Sequence, residues 1–139
     1  MVRSNKGFTL IELMVVIVIM GVLAVLAIPK LTDVITKAKI GEVPIVLGSW
    51  EHAQMAYIAE KGGCASNIDD LAYDKPDSSK WFSYAQTGDS SAVTYTATVK
   101  SGRKVGNFTS SSDGATSTIT DASVVTHGKG AFTKYLANF

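Results

Sequence analysis

A single cysteine, Cys64, excludes any intrachain disulfide in this chain of 139 residues. It follows Gly62-Gly63 and reads as a small, partly buried residue in a turn. Strong net charge is missing as well. The 13 basic and 12 acidic side chains leave +1, which argues against a protein that holds nucleic acid through an electrostatic face. Histidine is confined to His52 and His127. Neither stands at zinc-site spacing, and the chain has no nucleophile elbow and no phosphate-binding glycine loop. No catalytic constellation can be assembled, so the expectation is a non-enzyme with no cofactor. His52 reads as a packing or surface residue on a helix, and His127 as a surface residue in a loop, Val125–Gly128. Asp69, Asp70, Asp74 and Asp77 cluster without EF-hand spacing, so helix capping and a solvated loop explain them and no metal is expected.

Charge is scarcest near the front. From Phe8 to Ile28 the only ionisable side chain is Glu12. As a helix this stretch would rise about 31 Å, close to the ~30 Å hydrocarbon core of a bilayer. A charge at bilayer depth costs about 2.5–3.5 kcal/mol. Glu12 therefore either snorkels to the headgroups or has a cationic partner. Lys30, Lys37 and Lys39 follow the run and Arg3 and Lys6 precede it, so the charge balance does not set the orientation.

Gly7-Phe8-Thr9-Leu10-Ile11-Glu12, leading into Leu13–Ile28 and Pro29, resembles the class III signal of type IV pilins and of type II secretion pseudopilins. The resemblance covers about the first quarter to third of the chain. It implies cleavage between Gly7 and Phe8 by a prepilin peptidase and methylation of the new Phe8 amine. It further implies that Glu12 neutralises the Phe8 amine of a neighbouring subunit during assembly, and it places the N-terminus in the cytoplasm. Removing Arg3 and Lys6 would leave 11 basic side chains against 12 acidic ones. Many major pilins close a C-terminal loop with a disulfide. The lone Cys64 departs from that pattern and fits pseudopilins and simpler pilins.

Helical spacing extends beyond the apolar run. Leu31, Ile35 and Ala38 form one stripe, and Val46, Trp50, Ala53 and Tyr57 another, flanked by Leu47, Gln54 and Ile58. Lys61-Gly62-Gly63 reads as a C-terminal stop. The spacing predicts a helix from Phe8 to about Lys61. Gly21 weakens it, and Pro29 and Pro44 leave the carbonyls of Val25 and Ile40 without donors, so each should bend or locally open it. The stretch Gly21–Pro29 is expected to unwind when the subunit leaves the bilayer.

Beyond Gly63, Ser66–Leu71 reads as a capped helical turn and 74–79 as a loop. Strands are predicted at Lys80–Gln86, Ala92–Lys100, Lys104–Ser110 and Ala115–Thr120. Gln86–Ser91 and Asp113-Gly114 supply turns. The tail, with Phe132, Tyr135, Leu136 and Phe139, reads equally as a helical turn or a last strand. The Ser/Thr-rich run Thr109–Thr120 reads as an exposed edge hairpin that could offer a receptor or glycan-binding surface, and the sequon Asn107-Phe108-Thr109 as chance.

The expected fold is α+β and pilin-like: a long N-terminal helix on an antiparallel sheet of three to four strands, its Val93/Tyr95/Val99 face on the Trp50 side of the helix. The expected organisation is leader 1–7, apolar filament-core or transmembrane half 8–30, amphipathic half 31–61 and head 62–139. The resemblance implies a filament subunit of a pilus or pseudopilus. It would sit in a bacterial inner membrane with its head in the periplasm, and its partners would be copies of itself, the peptidase, an assembly platform and lipid. The alternatives are a monomeric membrane-anchored binding module or a minor pilin with a ligand-binding head.

Overall fold

The computed structural model describes residues 7–73, 79–112, 114–136 and 139. The chain divides into two units, Met1–Ile35 and Thr36–Phe139.

The first unit is helix from Leu10 onward. Helix α1 is Leu10–Ile40, and it is assigned through Gly21 and Pro29 without interruption. Straight-chain Leu and Met together with β-branched Val and Ile fill it. In a water-free setting an unbroken helix is the form that satisfies every backbone amide within one segment. Among the described residues, the run of helix from Leu10 to Lys61 is the only one long and apolar enough to cross a membrane.

The second unit opens with the end of α1 and continues into α2, Glu42–Lys61, with only Gly41 between them. The helix expected from Phe8 to Lys61 is thus nearly continuous, with a joint at Gly41. Pro44 falls in the first turn of α2, where a backbone N–H has no intrahelical acceptor and its absence costs little. At the other end Gly62 takes φ 79° and its N–H bonds the carbonyl of Ile58 at 2.8 Å. That left-handed cap is the expected stop.

Four strands follow: β1, Phe82–Gly88; β2, Ala92–Val99; β3, Ala115–Thr120; and β4, Val125–Gly128. They form an antiparallel meander in the order β1-β2-β3-β4. Phe82 pairs with Val99, Val93 with Ile119, and Ser117 with His127. Alternation decides the faces. Val93, Tyr95, Ala97 and Val99 are buried, as are Ala115, Ser117 and Ile119. They pack with Val43, Leu47, Trp50 and Ile58, so one face of α2 covers one face of the sheet. Trp50 is fully buried, its ring 4.8 Å from Tyr95 and edge-on to Tyr84 at 5.9 Å. A second aromatic group, Phe82, Phe108, Phe132 and Tyr135, closes the end of the core where β1 begins.

Three expectations need correction. Lys104–Ser110 is not a strand. Val105 and Phe108 are held by an isolated bridge in which each N–H bonds the other's carbonyl, which folds the segment into a tight turn. Val125–Gly128 is not a loop but β4, paired to β3. The run Thr109–Thr120 is not an edge hairpin, because β3 lies between β2 and β4. The tail resolves as a 3₁₀ turn, Gly130–Phe132, whose Phe132 is buried. The turn at Ser66–Leu71 is a 3₁₀ turn capped by Asn67, whose side chain accepts from the Asp69 N–H at 3.2 Å. Asp69 and Asp70 lie on it. Asp74 and Asp77, named with them as a cluster, lie outside the described residues.

Candidate functional site: the N-terminal segment

Thr9 begins the site. It is the residue just before α1, and its hydroxyl faces the first free N–H groups of the helix. Glu12 N–H donates to Thr9 Oγ1 at 3.4 Å. In return Glu12 Oε2 accepts from the Thr9 backbone N–H at 2.8 Å and from Thr9 Oγ1 at 2.7 Å. This is a reciprocal capping box, in which two helix-end donors and one carboxylate satisfy each other. The negative charge also sits at the positive end of the helix dipole.

The arrangement fixes one oxygen and leaves the other. The Thr9 donors converge on Oε2. Phe8, Leu13, Val16 and the carbon stem of Glu12 line an apolar hollow beside the carboxylate. Thr9 was not singled out from the sequence, although Thr-Leu-Ile-Glu carries the capping-box spacing that would have found it.

The rest of the segment is apolar and uncovered. Every large apolar side chain from Phe8 to Ile28 is between 44% and 84% exposed in the single chain. Such an expanse far exceeds what a monomeric soluble surface carries, so it marks a surface for lipid or for other chains.

The other residues considered have structural places. His52 is exposed on α2. Cys64 is buried, its Sγ 3.7 Å from the carbonyl of Ile119, and burial pushes the thiol up. A buried thiol held in its protonated form is a poor nucleophile. His127 is not a free loop residue. Its Nε2 lies 2.7 Å from Glu51 Oε1, which also accepts from Ser117 Oγ at 2.6 Å. Its ring stacks on Phe139 at 4.4 Å. Both contacts converge on the carboxylate, which ties α2 to β3 and β4 rather than arranging a nucleophile beside a base.

Comparison with known proteins bears on the front of the chain. The family model of the prokaryotic N-terminal methylation motif matches residues 2–28. A fimbrial protein of Eikenella corrodens, EcpB, is 49% identical over 59 residues, 42% of this chain and 37% of that protein. A fimbrial protein of Moraxella nonliquefaciens is 37% identical over 75 residues, 54% of this chain and 48% of that one. The type IV major pilin protein PilE1 of Neisseria gonorrhoeae is 38% identical over 63 residues, 45% of this chain and 38% of that one. Over the part of the chain that these matches cover, it is similar to type IV pilins and fimbrial proteins. The chain spans less than half the length of these pilin relatives. No solved structure matches it.

Proposed function

We propose that the chain is a structural subunit of a type IV pilus, polymerised through its N-terminal helix. The carrying observation is the uninterrupted exposed apolar surface from Phe8 to Ile28 with a single carboxylate, Glu12, at its start. In this reading a prepilin peptidase cuts between Gly7 and Phe8, the Phe8 amine is methylated, and the segment 8–30 holds the subunit in the inner membrane with the head in the periplasm. An assembly platform then passes the subunit into the filament.

Glu12 sets register. Methylation keeps the Phe8 amine cationic, and in a dry bundle that ammonium and the Glu12 carboxylate of the next subunit attract. Both are costly to desolvate, so the net gain is small. The selectivity comes from misaligned pairings, which would leave a charge unpaired in an apolar bundle. Before cleavage the Phe8 nitrogen is a neutral amide, so processing creates the partner. Side-by-side packing of the apolar helices supplies the bulk of the stability. The relatives named as fimbrial proteins and major pilins favour a pilus over a secretion pseudopilus.

The experiment is Glu12→Ala, followed by membrane fractionation and electron microscopy. The variant is expected to stay in the membrane and be cleaved while forming no filaments. Filaments of normal number and form in Glu12→Ala would overturn the pairing. A processed chain that never polymerises in wild type would return the reading to a monomeric anchored module.

A further inference from the structure

Charge is sorted along the head. The strand register puts residues 79–82 and 99–104 at one end of the sheet, and residues 88–92 and 120 at the other. Asp89 and Asp121 sit at the latter end, where Asp89 Oδ1 caps the β1–β2 turn and the Asp121 N–H bonds the carbonyl of Ser91. Lys39, Lys80, Lys100, Arg103 and Lys104 belong to the former. Lys39 Nζ lies 3.6 Å above the Trp81 ring, with Lys80 Nζ 5.2 Å from it. The Lys100 N–H bonds the carbonyl of Trp81, and the Arg103 N–H that of Lys100. The turn after Lys104 lies against the last turns of α1, since a Cβ on Gly106 would fall 2.7 Å from Thr36 Oγ1. Among the described residues no ion pair joins any of these five cations to a carboxylate. The described acid of this neighbourhood, Glu42, is taken by the Tyr84 hydroxyl at 2.9 Å.

This end is also the one nearest the apolar segment along the chain. Ile28 and Thr36 are eight residues apart. Even fully extended, that stretch spans at most about 29 Å. A tryptophan flanked by lysines is the composition that settles at a membrane–water boundary.

We propose that the Trp81-centred basic end of the head docks on anionic phospholipid headgroups while the subunit is stored in the bilayer. This rests on the reading that segment 8–30 is the anchor. A polybasic surface gains roughly 1 kcal/mol of attraction per Lys or Arg close to acidic lipid, and the attraction fades within a Debye length. Five cations at the end of the head that follows the anchor would draw that end onto acidic lipid, and neutral lipid would release it. Trp81 is part-buried, with its ring against Lys39, while Trp50 is fully enclosed, so contact with lipid alters Trp81.

The full chain is reconstituted at one copy per nanodisc, which removes a second copy as occupant. Discs contain phosphatidylcholine alone or with about a third phosphatidylglycerol, plus a lipid spin-labelled at the headgroup. The Trp81 part of the emission, defined against Trp81→Phe, is expected to be quenched roughly twofold more strongly in the anionic discs, a difference removed near 1 M salt, where the screening length is ~3 Å. The quadruple variant K80Q/K100Q/R103Q/K104Q, with unchanged circular dichroism, is expected to lose the difference. Equal quenching in both discs, or a difference that survives in the quadruple variant, would overturn the proposal. A chain that leaves the discs on gel filtration would overturn the anchor reading and this proposal together. If the quadruple variant kept the lipid effect but lost filaments, the patch would belong to a subunit contact instead.

Discussion

Glu51 makes the two side-chain polar contacts of widest sequence separation among the described residues. It accepts from Ser117, 66 positions away, and meets His127, 76 positions away, through one oxygen. Ser117 is fully buried, and the Glu51 carboxylate is the acceptor of its hydroxyl. A buried donor left unsatisfied costs about 1–3 kcal/mol. Glu51→Ala is therefore expected to lower unfolding stability in urea by about that amount, while Glu51→Gln, which retains an acceptor, should lose less. If Glu51→Ala left the urea midpoint unchanged, the carboxylate would not be the tie between α2 and the sheet. Cys64 offers a second residue-scale measurement. Its thiol is buried and pushed up chiefly by that burial. A thiol-specific aromatic disulfide should react with it only at the rate of unfolding, and reaction at the rate of a free thiol would show the site to be open.

Elements differ in how far local pattern determines them. The helices and β2 and β3 were readable because each is long enough for a period to repeat: Val46, Trp50 and Ile58 on α2, and Val93, Tyr95 and Val99 on β2. β4 has four residues, Val-Thr-His-Gly, and its pairing to β3 supplies what its own pattern cannot. The segment 104–110 misled for the opposite reason. Val105 and Phe108 look like strand positions, but the turn they bridge turns both inward at one end of the core. At the candidate site, the sequence brought out Glu12 and missed Thr9, a local cap readable from spacing. The Glu51 group was beyond local reading, since its members meet only in the folded sheet. The glycines test the same distinction. Gly88 ends β1 at φ 134°, and a Cβ there would lie 2.2 Å from the carbonyl oxygen of Ala92. Gly48 stands in α2 with nothing within 4 Å of a Cβ. Gly88→Ala should destabilise the head by about 1–3 kcal/mol, the range of stored backbone strain. Gly48→Ala should stabilise it by roughly 0.5–1 kcal/mol. Thermal melts that showed the same sign for both would contradict the geometry.

At the scale of the molecule, two phenols bind the head together across its layers, and their chemistry gives the fold a defined alkaline limit. The Tyr95 hydroxyl donates to Gln54 Oε1 on α2 at 2.9 Å, and the Tyr84 hydroxyl donates to Glu42 Oε1 on the same helix at 2.9 Å. Burial is the main force pushing both phenols well above the ordinary tyrosine range, and Glu42 pushes Tyr84 further because a phenolate would face a carboxylate. The folded state therefore holds protons that the unfolded state releases near pH 10. Stability from these groups is complete below that value and falls as pH rises above it toward the folded values. Cys64, also raised by burial, adds to the loss from the ordinary thiol range upward. Urea midpoints measured at rising pH should accordingly fall from about pH 9 and steepen above about pH 10. In a phenolate absorbance titration, the Tyr84 and Tyr95 contribution should appear only together with the loss of near-ultraviolet circular dichroism. Tyr84→Phe and Tyr95→Phe should each remove part of that late step. A single smooth phenolate titration, complete while the circular dichroism is still native, would mean that both hydroxyls reach solvent and that the helix–sheet layers are not sealed as described.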